Sequence, residues 1–193
     1  MRFWLPAVAF AFMPLPGMGQ QDKNAKTDPD LLYKKEHGVS IQKPAKNDEW
    51  EFKDVGFFKD MHLVVAHKVD RVFIEIYAQE KAATGYYDPK AAAEGSWKSL
   101  STSPDFKDCK KVAEIKSVKL PNGGANNPMS YLVDMTMKDK DDKPLELKSW
   151  SFVGKENQNF YRVVVVGEAG TYKKHQRLLD LMLGSIRLYK VPK

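Results

Sequence analysis

The run FYRVVVVGEAGTYKKHQRLLDLMLGSIRLYK, residues 160–190, decides the fold class. Residues 160–167 are apolar at odd and even positions alike, which predicts a central strand covered on both faces. Gly170-Thr171 then opens a helix, with Thr171 as its N-cap. Tyr172, Leu178, Leu179, Met182 and Leu183 share the inward stripe of that helix. Lys173, Lys174, Arg177 and Asp180 share the outward one. Gly184 is expected to cap the C-terminus, and Ile186, Leu188 and Tyr189 to form a last short strand. A strand apolar on both sides needs paired neighbours, and an amphipathic helix of this length needs a sheet to lie on.

Working outward, the neighbours are found upstream. Residues 130–138 place Tyr131, Val133, Met135 and Met137 on one strand face and Leu132, Asp134 and Thr136 on the other. Residues 145–153 alternate similarly, and KDKDDKP at 138–144 reads as the hairpin turn between the two. Residues 61–68 and 71–79 are β-rich, with Asp70 in the turn. Val72, Ile74 and Ile76 face one way, and Arg71, Phe73, Glu75 and Tyr77 the other. Strands are also expected at 37–44, around Trp50 and Phe52, and at 111–119, with a loop at 122–128. Asp88-Pro89 has the N-cap and first-position residues of a helix over about 88–102, stopped by Ser101–Pro104, and a further short helix is read at 31–36. Hairpin-grouped strands interrupted by helices give an α+β domain. The expected architecture is an antiparallel sheet of about 6–8 strands covered by helices on both faces, an α/β/α sandwich.

The chain has 193 residues with 12 Gly, 11 Pro and 1 Cys, which excludes collagen, low-complexity and disulfide-scaffold classes. Residues 1–19, MRFWLPAVAFAFMPLPGMG, read as a signal peptide. Arg2 is the basic start and Leu5–Met13 the apolar stretch. Gly17 and Gly19 are the small residues before a cut at Gln20. Retention of this segment as an anchor is the alternative. Pro14 and Pro16 leave it too short and broken to span a bilayer. Residues 20–30 read as a polar lead-in and 31–193 as one domain. The net charge of +6 becomes +5 on losing Arg2, so the basic balance belongs to the mature chain. Its lysines are spread, and Asp105 and Asp108 interrupt the densest cluster, Lys107–Lys111. A nucleic-acid surface would be concentrated, so none is expected, whereas anionic lipid or cell-wall polymer stays open.

No residue set amounts to an active site. G-x-S-x-G, Walker, H-E-x-x-H and C-x-x-C patterns are absent. His62 and His67 have odd spacing and so point to opposite faces of a strand. With His37 and His175 they would bind metal only if the fold gathered them, and solvated or edge histidines are expected instead. Asp139, Asp141 and Asp142 suggest a calcium loop, but Pro144 and Trp150 stand where Gly and Glu are required. Cys109 lies beside Lys110 and Lys111, which could activate a thiol; a half-buried strand-end cysteine is the simpler reading. Tyr86, Tyr87 and Trp97 flank a helix start in a loop-like stretch, and are the candidate binding residues. Trp97 serves equally well as a packing anchor. No cofactor and no metal are expected.

Two stretches carry a family resemblance. GVSIQKP at 38–44, followed by Trp50, and the closing run at 160–190 resemble the PsbP-like family. That family is named for an extrinsic photosystem II subunit, and its fold includes a Ran-binding import factor and bacterial exported proteins. The resemblance implies the fold and a residence outside the cytoplasm. It carries over no metal or photosystem contacts, because the middle of the chain departs from the family pattern. The expectation is an exported, non-catalytic binding or accessory protein, periplasmic, extracellular or envelope-associated, whose partner is an unknown protein or envelope ligand. No transmembrane span is expected after cleavage. The alternative is a hydrolase whose site is assembled from residues distant in sequence.

Overall fold

A computed structural model describes residues 29–45, 47–53, 61–80, 88–126 and 129–191. The signal-peptide stretch, most of the lead-in, and Tyr86 and Tyr87 lie outside the described residues. The chain begins with β1 (Leu31–Lys34), β2 (Val39–Gln42), β3 (Trp50–Lys53), β4 (Met61–His67) and β5 (Val72–Gln79). Helix α1 (Pro89–Ser101) is followed by β6 (Phe106–Lys111), β7 (Lys116–Lys119), β8 (Met129–Asp139), β9 (Pro144–Val153) and β10 (Phe160–Glu168). Helix α2 (Thr171–Ser185) and β11 (Arg187–Leu188) close it. Eight strands form one antiparallel sheet in the order β3-β4-β5-β10-β9-β8-β6, with β7 also on β8. Strands β1, β2 and β11 form a second, small sheet.

The reading of residues 160–167 holds. β10 pairs along its length with β5 on one side and β9 on the other. Val163 and Val165 enter the core beneath α2, and Val164 and Val166 the core beneath α1. α1 covers one sheet face and α2 the other, completing the α/β/α sandwich. No described helix is long and apolar enough to cross a membrane.

Four local expectations are corrected. Residues 31–34 are strand, not helix: Gly38, at φ +60°, turns the chain so that Leu31–Lys34 lies back on Val39–Gln42. A six-residue helix has too few internal hydrogen bonds to compete with that pairing. A Cβ at Gly38 would also stand 2.5 Å from the Tyr189 carbonyl oxygen, so the glycine of the opening motif permits the small sheet to close. The strand expected at 111–119 is strand only at its two ends: β6 runs from Phe106 and stops at Lys111, β7 starts at Lys116, and the two lie on successive parts of the long edge of β8. The N-cap of α2 is Gly170, and Thr171 is the first helical residue, its hydroxyl donating to the Glu168 carbonyl at 2.6 Å. From β9 the Glu146 carboxylate accepts the Tyr172 N–H at 2.6 Å, placing negative charge at the helix N-terminus. Gly184 is inside the helix, which runs to Ser185; a Cβ there would meet Asn122 Cβ at 2.6 Å. The loop after β7 packs against the helix end at that point.

Candidate functional site

Each face of the large sheet gathers one polar cluster. On the α2 face, β4 ends at His67, whose side chain is 5% exposed. Its Nδ1 accepts the backbone N–H of Asp70 at 2.9 Å and of Val69 at 3.3 Å, so this histidine closes the β4–β5 turn. The Asp70 carboxylate reaches α2: one oxygen lies 2.5 Å from His175 Nε2 and accepts from Lys174 Nζ at 2.7 Å. The two imidazoles are 4.5 Å apart, and Trp50 meets both edge-on. The hydrogen bonds from Lys174 and His175 hold Asp70 down at a pKa of about 2. Burial, then the nearby His175, pushes His67 below the ordinary histidine value.

The fold thus gathers two of the four histidines, and His67 is buried rather than solvated or at an edge. The potential ligand atoms of His67, Asp70 and His175 lie within 4.8 Å of one another. As arranged, they fit a divalent ion poorly. The His67 Nδ1 lone pair already takes two N–H groups, and the Asp70 oxygen already holds an ammonium. A ligand histidine instead needs its metal-bound nitrogen free and donates from the other. Lys174 fills the cation's role here.

On the α1 face the registers align a polar set. Arg162 stands opposite Tyr77 on β5 and Ser151 on β9, and Val164 stands opposite Glu75 and Ser149. Paired residues share a face, so all of these side chains project toward α1. The Tyr77 hydroxyl donates to Glu75 Oε2 at 2.9 Å. The Arg162 guanidinium lies over the Tyr77 ring at 4.3 Å. Its Nη1 reaches the Ser96 hydroxyl of α1 at a long 3.4 Å. Arg162 Nε and the hydroxyls of Ser149 and Ser151 are buried without a hydrogen-bond partner. Burial pushes Glu75 above the ordinary carboxylate range, outweighing its bond from Tyr77 and the attraction of Arg162. Leu100 and Ser96 of the helix and Glu75, Arg162 and Ser149 of the sheet line a cleft of about 20 Å³. That is room for about one water-sized group.

Trp97 is half-buried and packs on the α1-face core, with Lys111 Nζ 5.8 Å above its ring. It is on the helix that covers the cleft but does not line it. Cys109 is half-buried in β6; burial and then Asp108 push its thiol pKa up, away from the activated thiolate. The aspartate loop is a hairpin turn in which Asp139 Oδ1 accepts the N–H groups of Asp141 and Lys143. Lys107, Lys111 and Lys138 pair with Asp142, Glu114 and Asp108, so the basic edge is internally compensated. The sequence reading missed Arg162 as a site residue. The available signal was a guanidinium inside a run that otherwise reads as buried on both faces.

No family model matches the sequence, and no curated protein is similar to it in sequence. Among solved structures, the chain is similar to cyanobacterial PsbP (CyanoP) from Synechocystis sp. PCC 6803. The TM-score is 0.59 at 11% identity, covering 88% of this chain and 98% of that one. It is also similar to LpqN of Mycobacterium tuberculosis, described as involved in cell envelope biogenesis. There the TM-score is 0.54 at 9% identity, covering 78% of this chain and 83% of that one. With the two-sheet arrangement and the helix on each face, these likenesses establish that the chain has the PsbP-like fold.

Proposed function

We propose that this is an exported, non-catalytic binding or accessory protein whose binding side is the α1 face of the large sheet. The observation that carries the reading is the donor set of that face: Arg162, Ser149 and Ser151 are buried with hydrogen-bonding capacity unmet. Buried polar groups are ordinarily paired, and unpaired ones mark strain or a ligand. The chemistry of the face favours binding over the hydrolase alternative. Its serines lie on one side of the sheet, while His67 and His175 lie on the other, at α2. A serine nucleophile and a histidine base must be within hydrogen-bond reach, and the sheet separates these. Export is supported by the N-terminal signal pattern and by the fold shared with a protein of cell envelope biogenesis.

Subcellular fractionation with N-terminal mass spectrometry tests the reading. The expected result is protein in the exported or envelope fraction, starting near Gln20. Intact Met1–Gly19 on soluble cytoplasmic protein overturns it. A panel of ester, phosphoester and peptide substrates turned over by purified protein would instead establish the hydrolase.

A further inference from the structure

We propose that the turn between β4 and β5 is a proton-operated latch on α2, closed while the His67 imidazole is neutral and released when it takes up a proton. The latch lies on the opposite sheet face from the proposed binding side, so the two are tested separately. The hydrogen-bond pattern is the first support. His67 Nδ1 accepts the backbone N–H groups of Asp70 and Val69 at 2.9 and 3.3 Å. A backbone N–H only donates, so Nδ1 carries a lone pair and the ring proton sits on Nε2. A second proton has only Nδ1 to go to. There it turns the acceptor into a donor facing two donors, and both bonds that close the turn are lost.

The surroundings are the second. The His67 side chain is 5% exposed, and its Nε2 is buried without a hydrogen-bond partner. From α2, the His175 ring lies 4.5 Å away and Lys174 adds its positive charge. Trp50 of β3 covers the ring edge-on and brings no charge. Two carboxylates oppose these: Asp70 at 3.9 Å from Nδ1, and the exposed Glu49 at 3.9 Å from Nε2. Asp70 is already engaged by Lys174 and His175, and burial with the repulsion from α2 outweighs the attraction. The closed turn therefore disfavours the imidazolium, and opening toward water relieves it. Freedom to move is the third. Asp70 supplies one of the two N–H groups, and its carboxylate is the tie to α2, so the same event loosens both. Val69 at the tip is 84% exposed, so the tip swings out without uncovering core.

Amide hydrogen exchange of the purified protein between about pH 7 and pH 5 tests the latch, with rates corrected for the intrinsic pH dependence of exchange. Below about 6.5 the open turn takes a proton that the closed turn refuses, so opening grows with falling pH, at most about tenfold per unit. Asp70 stays ionised throughout this range. The expected result is that protection of the Val69 and Asp70 amides falls about tenfold across the range, while the β10 amides stay the more protected and the sheet stays folded. His67→Asn supplies an oxygen that accepts the same two N–H groups and does not titrate. Its turn should be protected equally at both pH values. Unchanged protection in wild type overturns the latch. So does a pH response that persists in His67→Asn, because another group would then carry it. Loss of the turn and β10 amides together also overturns it, in favour of general unfolding. Should His67→Asn fail to fold, nitrogen chemical shifts of the wild-type imidazole decide alongside the wild-type exchange. A bare Nδ1 at pH 7 supports the latch, and a proton on Nδ1 overturns it.

Discussion

Helix α2 lays Leu179, Met182 and Leu183 on the sheet, and the core beneath it continues through Trp50, Phe152 and Tyr161 to the small sheet. Helix α1 buries only Ala93 and Leu100. Beneath it, an apolar floor of Val133, Met135, Leu147 and Val164 is interrupted by Arg162, Glu75 and two serines. Both faces bury ionisable groups, but they treat them differently. On the α2 face Asp70 is bonded to Lys174 and His175, although Trp50 Nε1 and His67 Nε2 lack partners. On the α1 face Arg162 makes no ion pair among the described residues; the Tyr77 ring and a long bond to Ser96 hold it, and Glu75 attracts it from the same cleft. The α2 face is built for stability, and the α1 face carries a polar set that packing alone would not select.

The harshest way to break this comparison is to put one charge on each side of β10. Val163 faces α2 and Val164 faces α1. Val163→Asp buries a carboxylate among aliphatic side chains and should cost about 4 kcal/mol or more. Val164→Asp should also cost several kcal/mol, but less, because Arg162 lines the same cleft and supplies a cation. Urea midpoints of the two variants decide the matter. Equal losses would mean that the α1-face guanidinium is not available to an anion.

Leu179→Ala comes next. The side chain is fully buried in the α2-face core, and its truncation should cost about 2–5 kcal/mol by chemical denaturation. A loss under about 1 kcal/mol would mean that the helix is not held by this stripe.

The two faces should also answer pH with opposite signs. His67 has its pKa lowered by burial and His175, against attraction from Asp70 and Glu49 and with further repulsion from Lys174. Its stabilising contribution is present above about pH 6.5 and is lost as pH falls from there toward the lowered value. Asp70 adds a loss in the same direction, from 3.8 toward about 2. Glu75 runs the other way. Its raised pKa makes the folded state hold a proton that the unfolded chain releases, so stability is lost as pH rises from 4.5 to the folded value. Glu75→Gln should therefore leave stability near pH 4.5 unchanged and raise it at neutral pH. Urea midpoints for wild type and variant at the two pH values check this. A variant weaker than wild type at neutral pH would show an ionised Glu75 stabilising Arg162.

The backbone of this comparison was legible in the sequence, and its chemistry less so. The both-face apolarity of residues 160–167, the α2 stripe and the Asp88-Pro89 helix start are local patterns, and each held. Leu31–Lys34 misled because four residues have no period of their own; its strand state comes from pairing with β2. The cap at Gly170 and the close approach at Gly184 depend on which loop lies alongside, which α2 cannot announce. His67 and His175 meet only because the β4–β5 turn and the first turns of α2 come together, across more than a hundred positions. Arg162, Tyr77 and Ser151 become one row only when the registers of β5, β10 and β9 are known. Each of these residues is ordinary in its own window.

The smallest effect sharpens the comparison where the α2 face meets solvent. Lys173, Lys174 and Arg177 all lie on the outer side of α2, and position alone predicts that alanine at each costs no more than about 0.5 kcal/mol. Lys174 differs in one respect: its ammonium is 2.7 Å from the Asp70 carboxylate while its side chain stays 63% exposed. An exposed pair is screened, and such pairs contribute about 0–1 kcal/mol. Asp70, however, also holds His175, so removing Lys174 loosens the carboxylate that ties the β4–β5 turn to α2. Lys174→Ala should therefore exceed Lys173→Ala by a few tenths of a kcal/mol. The difference should shrink as salt is raised, because the pair is solvent-facing. Matched denaturation curves for the two variants at low and high ionic strength measure it. A Lys174→Ala loss as large as that of Leu179→Ala would mean that the basic side of α2 is an interface or a site in its own right, and the contrast between the two faces would have to be redrawn around it.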